Sequence, residues 1–297
     1  MSTFLLLTIT GLGLAALYFL LASGLSLIFG LMDVLNFAHG AFLTVGAYAT
    51  YVAAEALAGV AGDWLRYLVA MLFGLLVGGL VAALVEMVFI RRLYGRHVGQ
   101  VLVTVGLLLA ITALVSAVFG PDPRTLFVPP LLDEVTMVAG VAVPNSLFLA
   151  IIVAAVVYLG LVAFLRRTRY GLIVRAGVEN RAMVTALGID VRRAFTLVFV
   201  LGGAVAALGG ALIGTYYSVI TPFQGTEFLI VAFIVVIIGG LGSLHGSAIA
   251  AVLVGLLQQY ANFYTGIGAG DLIVVLLLAG VLLVRPHGLA GRKVATA

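Results

Sequence analysis

The 297-residue chain has four histidines, His39, His97, His245 and His287, and they are scattered along it. No HExxH spacing or cluster of carboxylates accompanies them, so neither a metal-hydrolase site nor any other metal site is expected. The single lysine, Lys293, is followed by Val294, whereas the nucleotide-binding pattern GxxxxGK[ST] needs Lys followed by Ser or Thr. The chain therefore lacks a Walker A site. No catalytic residue is assigned, no cofactor is expected on this chain, and an enzyme is not the expected class. There is no cysteine, which excludes disulfides and thiolate metal sites.

The polar residues of interest are those that interrupt apolar sequence. Gly30-Leu-Met-Asp-Val-Leu-Asn-Phe-Ala-His-Gly40 places Asp33, Asn36 and His39 inside an otherwise apolar run. A helix break inside a membrane is tolerated only where the freed backbone faces protein or a water-filled cavity, and transporters place such breaks at substrate pathways. The competing reading is a polar connection at the membrane surface. A second break, Ile238 to Ser247, contains Gly239, Gly240, Gly242 and Gly246. These glycines suit close packing or a tight turn, with a substrate gate as the alternative. The two breaks echo each other, Asn36-Phe-Ala-His39-Gly40-Ala41 against Gly242-Ser-Leu-His245-Gly246-Ser247, through an internal repeat or by chance. Intramembrane carboxylates are costly and so are functional candidates. Glu55, Glu86 and Glu227 lie near the ends of apolar runs, where snorkelling lowers that cost. Glu86 has Arg91 and Arg92 nearby, and Glu227, at the outer start of its run, could face a substrate ammonium.

These groups have to be positioned by helices in lipid. A composition 64% hydrophobic and 9% charged, with a mean hydropathy of +1.30, excludes a soluble globular domain. Apolar runs fall at roughly 4–30, 40–57, 67–90, 98–119, 146–165, 195–216, 227–241, 247–264 and 271–284. Spans must be helical to satisfy their own backbone, and the 37 glycines let helices approach closely. The expectation is an all-α, polytopic integral membrane protein with about eight or nine transmembrane helices, including broken or re-entrant segments, forming one domain over 1–297. No Lys or Arg precedes Arg66, so the first run lacks a signal peptide's basic region and reads as a retained span.

A net charge of +4 and a pI near 9.5 do not point to nucleic acid, because the charge gathers in loops between spans. Loops 91–97 and 166–193 and the tail 285–297 carry thirteen of the fifteen basic residues, with an even number of runs between each pair. The positive-inside rule puts all three, and the C-terminus, in the cytoplasm. Counting back places the N-terminus outside if 4–57 makes two spans; a re-entrant element at Asn36–Gly40 would lower the count to eight. The far-side loop 120–145 holds five of the seven prolines, which forbid a continuous helix. Its segments TLFV and EVTMVAGVAVP are strand-like, so a small hairpin is expected. Arg285-Pro286-His287-Gly288 reads as a helix stop.

Loop 166–193 is the longest polar segment. Val178, Ala182, Met183, Ala186 and Leu187 recur at helical spacing, followed by Gly188 in the position of a helix C-cap. This short amphipathic helix is too brief to be stable alone. It suits a partner's groove or, equally, an anionic lipid surface.

Three stretches together resemble the permease subunits of branched-chain (hydrophobic) amino acid ABC transporters: GLSLIFGLMDVLNFAHGAFLTVGAY (24–48), RAGVENRAMVTALGID (175–190) and VIIGGLGSLHGSAIAAVLVG (236–255). The terminal RPHGLAG (285–291) is similar to that family as well. The resemblance implies a bacterial inner-membrane permease working with a second related permease or a second copy of itself. Two ATPase subunits, which would hold ATP and Mg, and a periplasmic solute-binding protein complete the implied machine, with no nucleic acid involved. By resemblance 175–190 is the segment coupling to the ATPase, with Glu179, Asn180, Ala186 and Gly188 at the matched positions and Arg175, Met183 and Leu187 completing the contact set. The translocation pathway is expected near Asn36, His39, Gly40, Glu227, Gly239, Gly240, Gly242, His245 and Gly246. Relatives of that family carry urea, short-chain amides or other small acids, so these remain alternative substrates. A stand-alone ion-coupled transporter is the rival from another class and calls for a buried acidic relay, which the sequence does not display.

Overall fold

A computed structural model describes residues 2–179, 183–184, 188, 190–266 and 268–290. Six helices are long and apolar enough to cross a membrane: α1 (Ser2–Met32), α3 (Asp63–Val88), α4 (His97–Phe119), α6 (Asn145–Arg167), α8 (Val191–Tyr217) and α10 (Leu244–Thr265). The shortest has 22 residues, about 33 Å at 1.5 Å per residue, against a hydrocarbon core of about 30 Å. The helices α2 (His39–Ala56), α9 (Gln224–Gly239) and α11 (Ala269–Val284) are shorter, α5 (Pro130–Asp133) is a single turn, and α7 (Arg169–Glu179) is amphipathic. The chain is an all-α polytopic membrane protein with small β accessories on the far side. There β2 (Val135–Val138) and β3 (Val141–Pro144) form the expected hairpin, turning through Ala139 and Gly140, both at positive φ. Of TLFV only Thr125 is in a strand: β1 (Arg124–Thr125) pairs antiparallel with β4 (Val219–Ile220).

Burial runs opposite to that of a soluble protein. Large apolar side chains cover the outside, among them Leu102, Leu109, Leu159 and Leu283. At the centre, α8 buries a row of small residues, Gly202, Gly203, Ala206, Ala207 and Gly210, between α1, α2 and α3. Between helices in lipid the hydrophobic effect gives little drive, so association depends on close backbone approach, which small residues permit.

The first break lies inside this bundle. α1 runs to the end carrying Arg91, Arg166 and Arg167, hereafter the basic end, and the chain reverses at Asp33, whose φ is 52°. Asp33 there sits 3.7 Å from His97 at the start of α4. Residues 33–38 then climb back among the helices, with Val34, Asn36 and Ala38 fully buried. The Leu35 carbonyl accepts from Thr104 Oγ1 at 3.4 Å, and Gly40 lies against Leu108. α2 therefore begins about 16 Å along α4 from its start, a climb that six extended residues, reaching about 20 Å, can make. The run expected at 40–57 is thus a helix that starts at mid-depth, and the reading of this break as a surface connection gives way to one inside the bundle.

The short helix α9 also begins at depth, because Gly225 packs backbone to backbone on Gly40. A Cβ on either glycine would run into the other's carbonyl. Gly40→Ala and Gly225→Ala should each cost about 1–3 kcal/mol by overpacking. Gly106→Ala, on an open face of α4, should be neutral or stabilising, since Ala is the better helix former by about 1 kcal/mol. Thermal unfolding in detergent reads the difference. Equal midpoints for all three variants would show that this contact does not hold the fold.

Candidate functional site

α2 and α9 overlap at their N-termini and leave in opposite directions. The Gly225 N–H donates to Thr44 Oγ1 at 3.1 Å, and the Thr44 hydroxyl donates to the Pro222 carbonyl at 3.4 Å. Beneath them the rings of Phe37 and Phe233 lie 4.9 Å apart. α2 runs to the far end, where Glu55 meets Arg66 at 3.4 Å, and α9 runs to the basic end. Two helix N-termini, each with a partial positive charge, thus lie together at mid-depth, and their first N–H groups are taken up by nearby carbonyls and by Thr44.

Three buried polar side chains stand at these N-termini. Asn36 is fully buried and both its amide atoms lack a protein partner. His39 donates from Nε2 to the Leu21 carbonyl at 2.9 Å, while Nδ1 lacks a partner. Gln224 receives the Thr221 N–H on Oε1 and leaves Nε2 unpaired. Such an arrangement suits an anionic group. Glu227, expected at an outer helix end, lies instead one turn into α9 near mid-depth, because the chain re-enters between Tyr217 and Gln224. It is exposed, together with Phe223, Thr226 and Ile230. An ionised carboxylate at that depth is costly against hydrocarbon, so this face of α9 requires water or another chain.

The second break lies elsewhere. Gly239 packs on Gly246, Gly240 on Gly288, and Gly242, at φ 81°, on Gly30. The N–H groups of Leu289 and Ala290 donate to the carbonyls of Ile238 (2.8 Å) and Gly239 (3.0 Å), so the RPHGL segment caps α9. Along α1, the Gly30 contact lies about 13 Å from the Leu21 carbonyl that holds His39. The two glycine-marked breaks are therefore not brought together. Their histidines differ too: His39 is buried, whereas His245 is exposed and meets Tyr158 edge to face at 5.7 Å.

At the basic end α7 is tied to α6 through Thr168, whose Oγ1 donates to the Phe164 carbonyl (2.6 Å) and accepts the Gly171 N–H (3.0 Å). Arg175 is exposed on α7. Glu179 closes that helix, and its side chain lies outside the described residues, as do Asn180, Ala186 and Leu187. Met183 is 61% exposed, while its neighbour Val184 is buried in the main core. Gly188 has a φ of 77°, the left-handed conformation of a helix C-cap. A cavity of about 690 Å³ unites Arg175 with Gly30, Gly242 and His245. Among the described residues no group of three His, Asp or Glu could hold a metal.

Two polar networks reach beyond the expected pairing of Glu86 with a nearby arginine. Glu86 is fully buried rather than snorkelling. It pairs with Arg91 (3.2 Å), not Arg92, and also accepts from Tyr94 (2.6 Å) and Thr196 (2.8 Å), joining α3 to α8. Nearer the far end, Tyr18 donates to Gln258 (2.6 Å), which donates to Asp271 (2.6 Å). Proximity in sequence exposed only Glu86–Arg91; the other partners come from distant helices.

Comparison with known proteins adds a family. Residues 7–284 match the family model described as branched-chain amino acid transport system / permease component. The chain is 28% identical over 290 residues to the high-affinity branched-chain amino acid transport system permease protein LivH of Salmonella typhimurium, covering 95% of this chain and 94% of that one. It is 30% identical over 293 residues to the corresponding BraD of Pseudomonas aeruginosa, with coverage of 96% and 94%. A fructose import permease protein, FruF of Bifidobacterium longum, is 26% identical over 266 residues, 84% of this chain and 69% of its own. No solved structure matches the chain.

The Glu86 network yields a test. Glu86→Ala leaves Arg91 and two hydroxyls without their acceptor and should destabilise the protein by about 1–3 kcal/mol. Thr196→Val, which removes one link, should cost about 1 kcal/mol. Unfolding midpoints that do not move in either variant would mean the network contributes nothing to the α3–α8 contact.

Proposed function

Because the chain belongs to the family of branched-chain amino acid transport system permease components, we propose that it is the translocation subunit of an ATP-driven importer for branched-chain and other hydrophobic amino acids. The observation that carries this reading is the mid-depth crossing of α2 and α9. Helix N-termini with Asn36 and Gln224 offer donors to a carboxylate, and the exposed Glu227 on the same helix offers a counter-charge to an ammonium. A zwitterion with an apolar side chain fits both and leaves the remaining surface, including Phe223 and Ile230, to apolar contact.

The proposal treats 1–297 as one permease domain. Its basic end, with the coupling loop 166–193 and the tail 285–297, faces the cytoplasm, and the loop 120–145 faces a periplasmic solute-binding protein. A second permease, or a second copy of this chain, covers the exposed face of α9, so that Glu227 borders the pathway between them. Two ATPase subunits dock at the coupling segment, with the exposed Met183 as an apolar anchor and the exposed Arg175 of α7 also in the contact. ATP and Mg belong to those subunits. Their closure pushes α7 and the start of α8, and the Glu86–Thr196 link passes the displacement to α3. The Gly239–Gly246 turn moves with the coupling loop and leaves the substrate contacts to the crossing.

A second reading within the same class, uptake of a polar solute, is favoured by the similarity to a fructose import permease over 84% of this chain; urea and short-chain amides belong with it. Proteoliposomes holding the permeases and ATPases, supplied with the binding protein, distinguish the readings when given radiolabelled Leu, Ile, Val, Phe, urea, amides and fructose. ATP-dependent uptake of the four amino acids is expected. Uptake of the polar solutes alone would establish the second reading. Gradient-driven uptake without ATPases, through a relay such as Tyr18–Gln258–Asp271, would overturn both.

Two variants probe the parts. Glu227→Gln should lower uptake about tenfold, equivalent to 1.4 kcal/mol, while leaving ATP hydrolysis intact. Unchanged uptake would remove Glu227 from the pathway. Gly188→Val forces a β-branched residue into left-handed backbone at a cost of about 1–2 kcal/mol. It should uncouple uptake from ATP hydrolysis without preventing membrane insertion; normal uptake in this variant would count against the coupling role.

A further inference from the structure

The 690 Å³ cavity at the basic end shares Arg175 with the coupling segment, but most of its lining belongs neither to that segment nor to the crossing. Its walls come from the last turns of α1 and α6, from α7 and from the α9–α10 turn, all at the level where spanning helices leave the bilayer. Leu165, Leu172 and Leu241 make its apolar surface, and Leu172 and Leu241 are exposed. Arg166 and Arg175 supply two cationic heads, and among the described residues no carboxylate lines the cavity. Among the described residues neither arginine forms an ion pair. His245 stands on the far wall with its ring against Tyr158.

Two guanidinium groups above exposed leucines, without an ion pair among the described residues, suit a ligand that is anionic at one end and apolar at the other. The volume falls in the range of sites that enclose a sizeable organic ligand, about 300–1,000 Å³. Arginine's planar fork matches a phosphate, and a site at the head-group level is reached directly from the membrane. We propose that this cavity holds the head group and upper chains of one anionic phospholipid. The lipid would wedge between α7 and the Gly242 turn, the two elements on either side of the cavity, so the occupied site would set how far α7 can move toward α1. The proposal rests on the cavity and the membrane setting and stands whichever solute the permease carries.

The test uses the full transporter complex in vesicles containing spin-labelled phosphatidylglycerol or spin-labelled phosphatidylcholine at equal fraction, with immobilised lipid read by electron paramagnetic resonance. With about 1 kcal/mol per arginine near the surface, the wild type should prefer phosphatidylglycerol by roughly thirtyfold, and each of Arg166→Gln and Arg175→Gln should remove roughly fivefold of that. Ala176→Trp, which narrows the cavity and keeps both arginines, should remove the preference for phosphatidylglycerol and leave the boundary lipid around the apolar exterior. Equal retention of the two lipids, or undiminished preference in the arginine and Ala176 variants, would overturn the proposal. Displacement by inorganic phosphate alone would make this a soluble-anion site and overturn it too. A preference seen only when the ATPases are absent would assign the cavity to a protein contact instead.

Discussion

Non-helical backbone at membrane depth is the constraint on which the rest of this structure depends. Residues 33–38 and 221–223 carry peptide groups with no helical partners into a region where water is scarce, and each orphan group there costs several kcal/mol. The protein answers with specific donors and acceptors: Thr104 to the Leu35 carbonyl, His39 to Leu21, Thr44 to both Pro222 and Gly225. These contacts come from α1, α2 and α4, so the helices that shelter the break are also those that fix its height. Asn36, Gln224 and one nitrogen of His39 are left over, and unsatisfied polarity at such a depth marks where a solute would gain most from binding.

The packing that encloses the break follows from the same solvent. Large apolar residues face outward because lipid receives them without penalty, and small residues face inward because only close backbone contact rewards helix association. α8 expresses this most fully: Ala207 lies against both Gly46 of α2 and Gly78 of α3. A helix so closely held is bound to move with its neighbours, and near its N-terminus Thr196 ties it to Glu86 of α3. Coupling between distant ends needs such rigid elements with shared contacts.

Two carboxylates illustrate how environment sorts like residues into different roles. Glu86 is fully buried, yet an arginine and two hydroxyls satisfy it, so its charge is part of the scaffold. Glu227 is exposed at a depth where lipid would penalise it, which gives that surface of α9 a requirement for a partner or a water-filled path. Sequence shows that Glu86 has Arg91 close by and that Glu227 has no arginine near it; burial and depth show what each charge then meets.

Much was legible in the residues alone. Uninterrupted apolar runs allow only helices in a bilayer, so the all-α polytopic class, the hairpin over 135–144 and the helix stop at Pro286 follow from composition, periodicity and turn chemistry. The interruption at Asp33–His39 was visible for the same reason, and the family could be recognised from short motifs. What only the tertiary structure decided is height and company. A run of 18 apolar residues reads alike whether it starts at the surface or halfway across, so the mid-depth origin of α2, and the place of Glu227 beside it, waited on Thr104, Leu108 and Gly225. The similar motifs around His39 and His245 likewise land in unlike surroundings, His39 buried against Leu21 of α1 and His245 exposed beside Tyr158. Local pattern determines the form of each element. Where the element sits in the membrane depends on residues far along the chain, 69 positions away for Thr104 and Leu35 and 181 for Gly225 and Thr44, and these leave no periodic trace in the segment they hold.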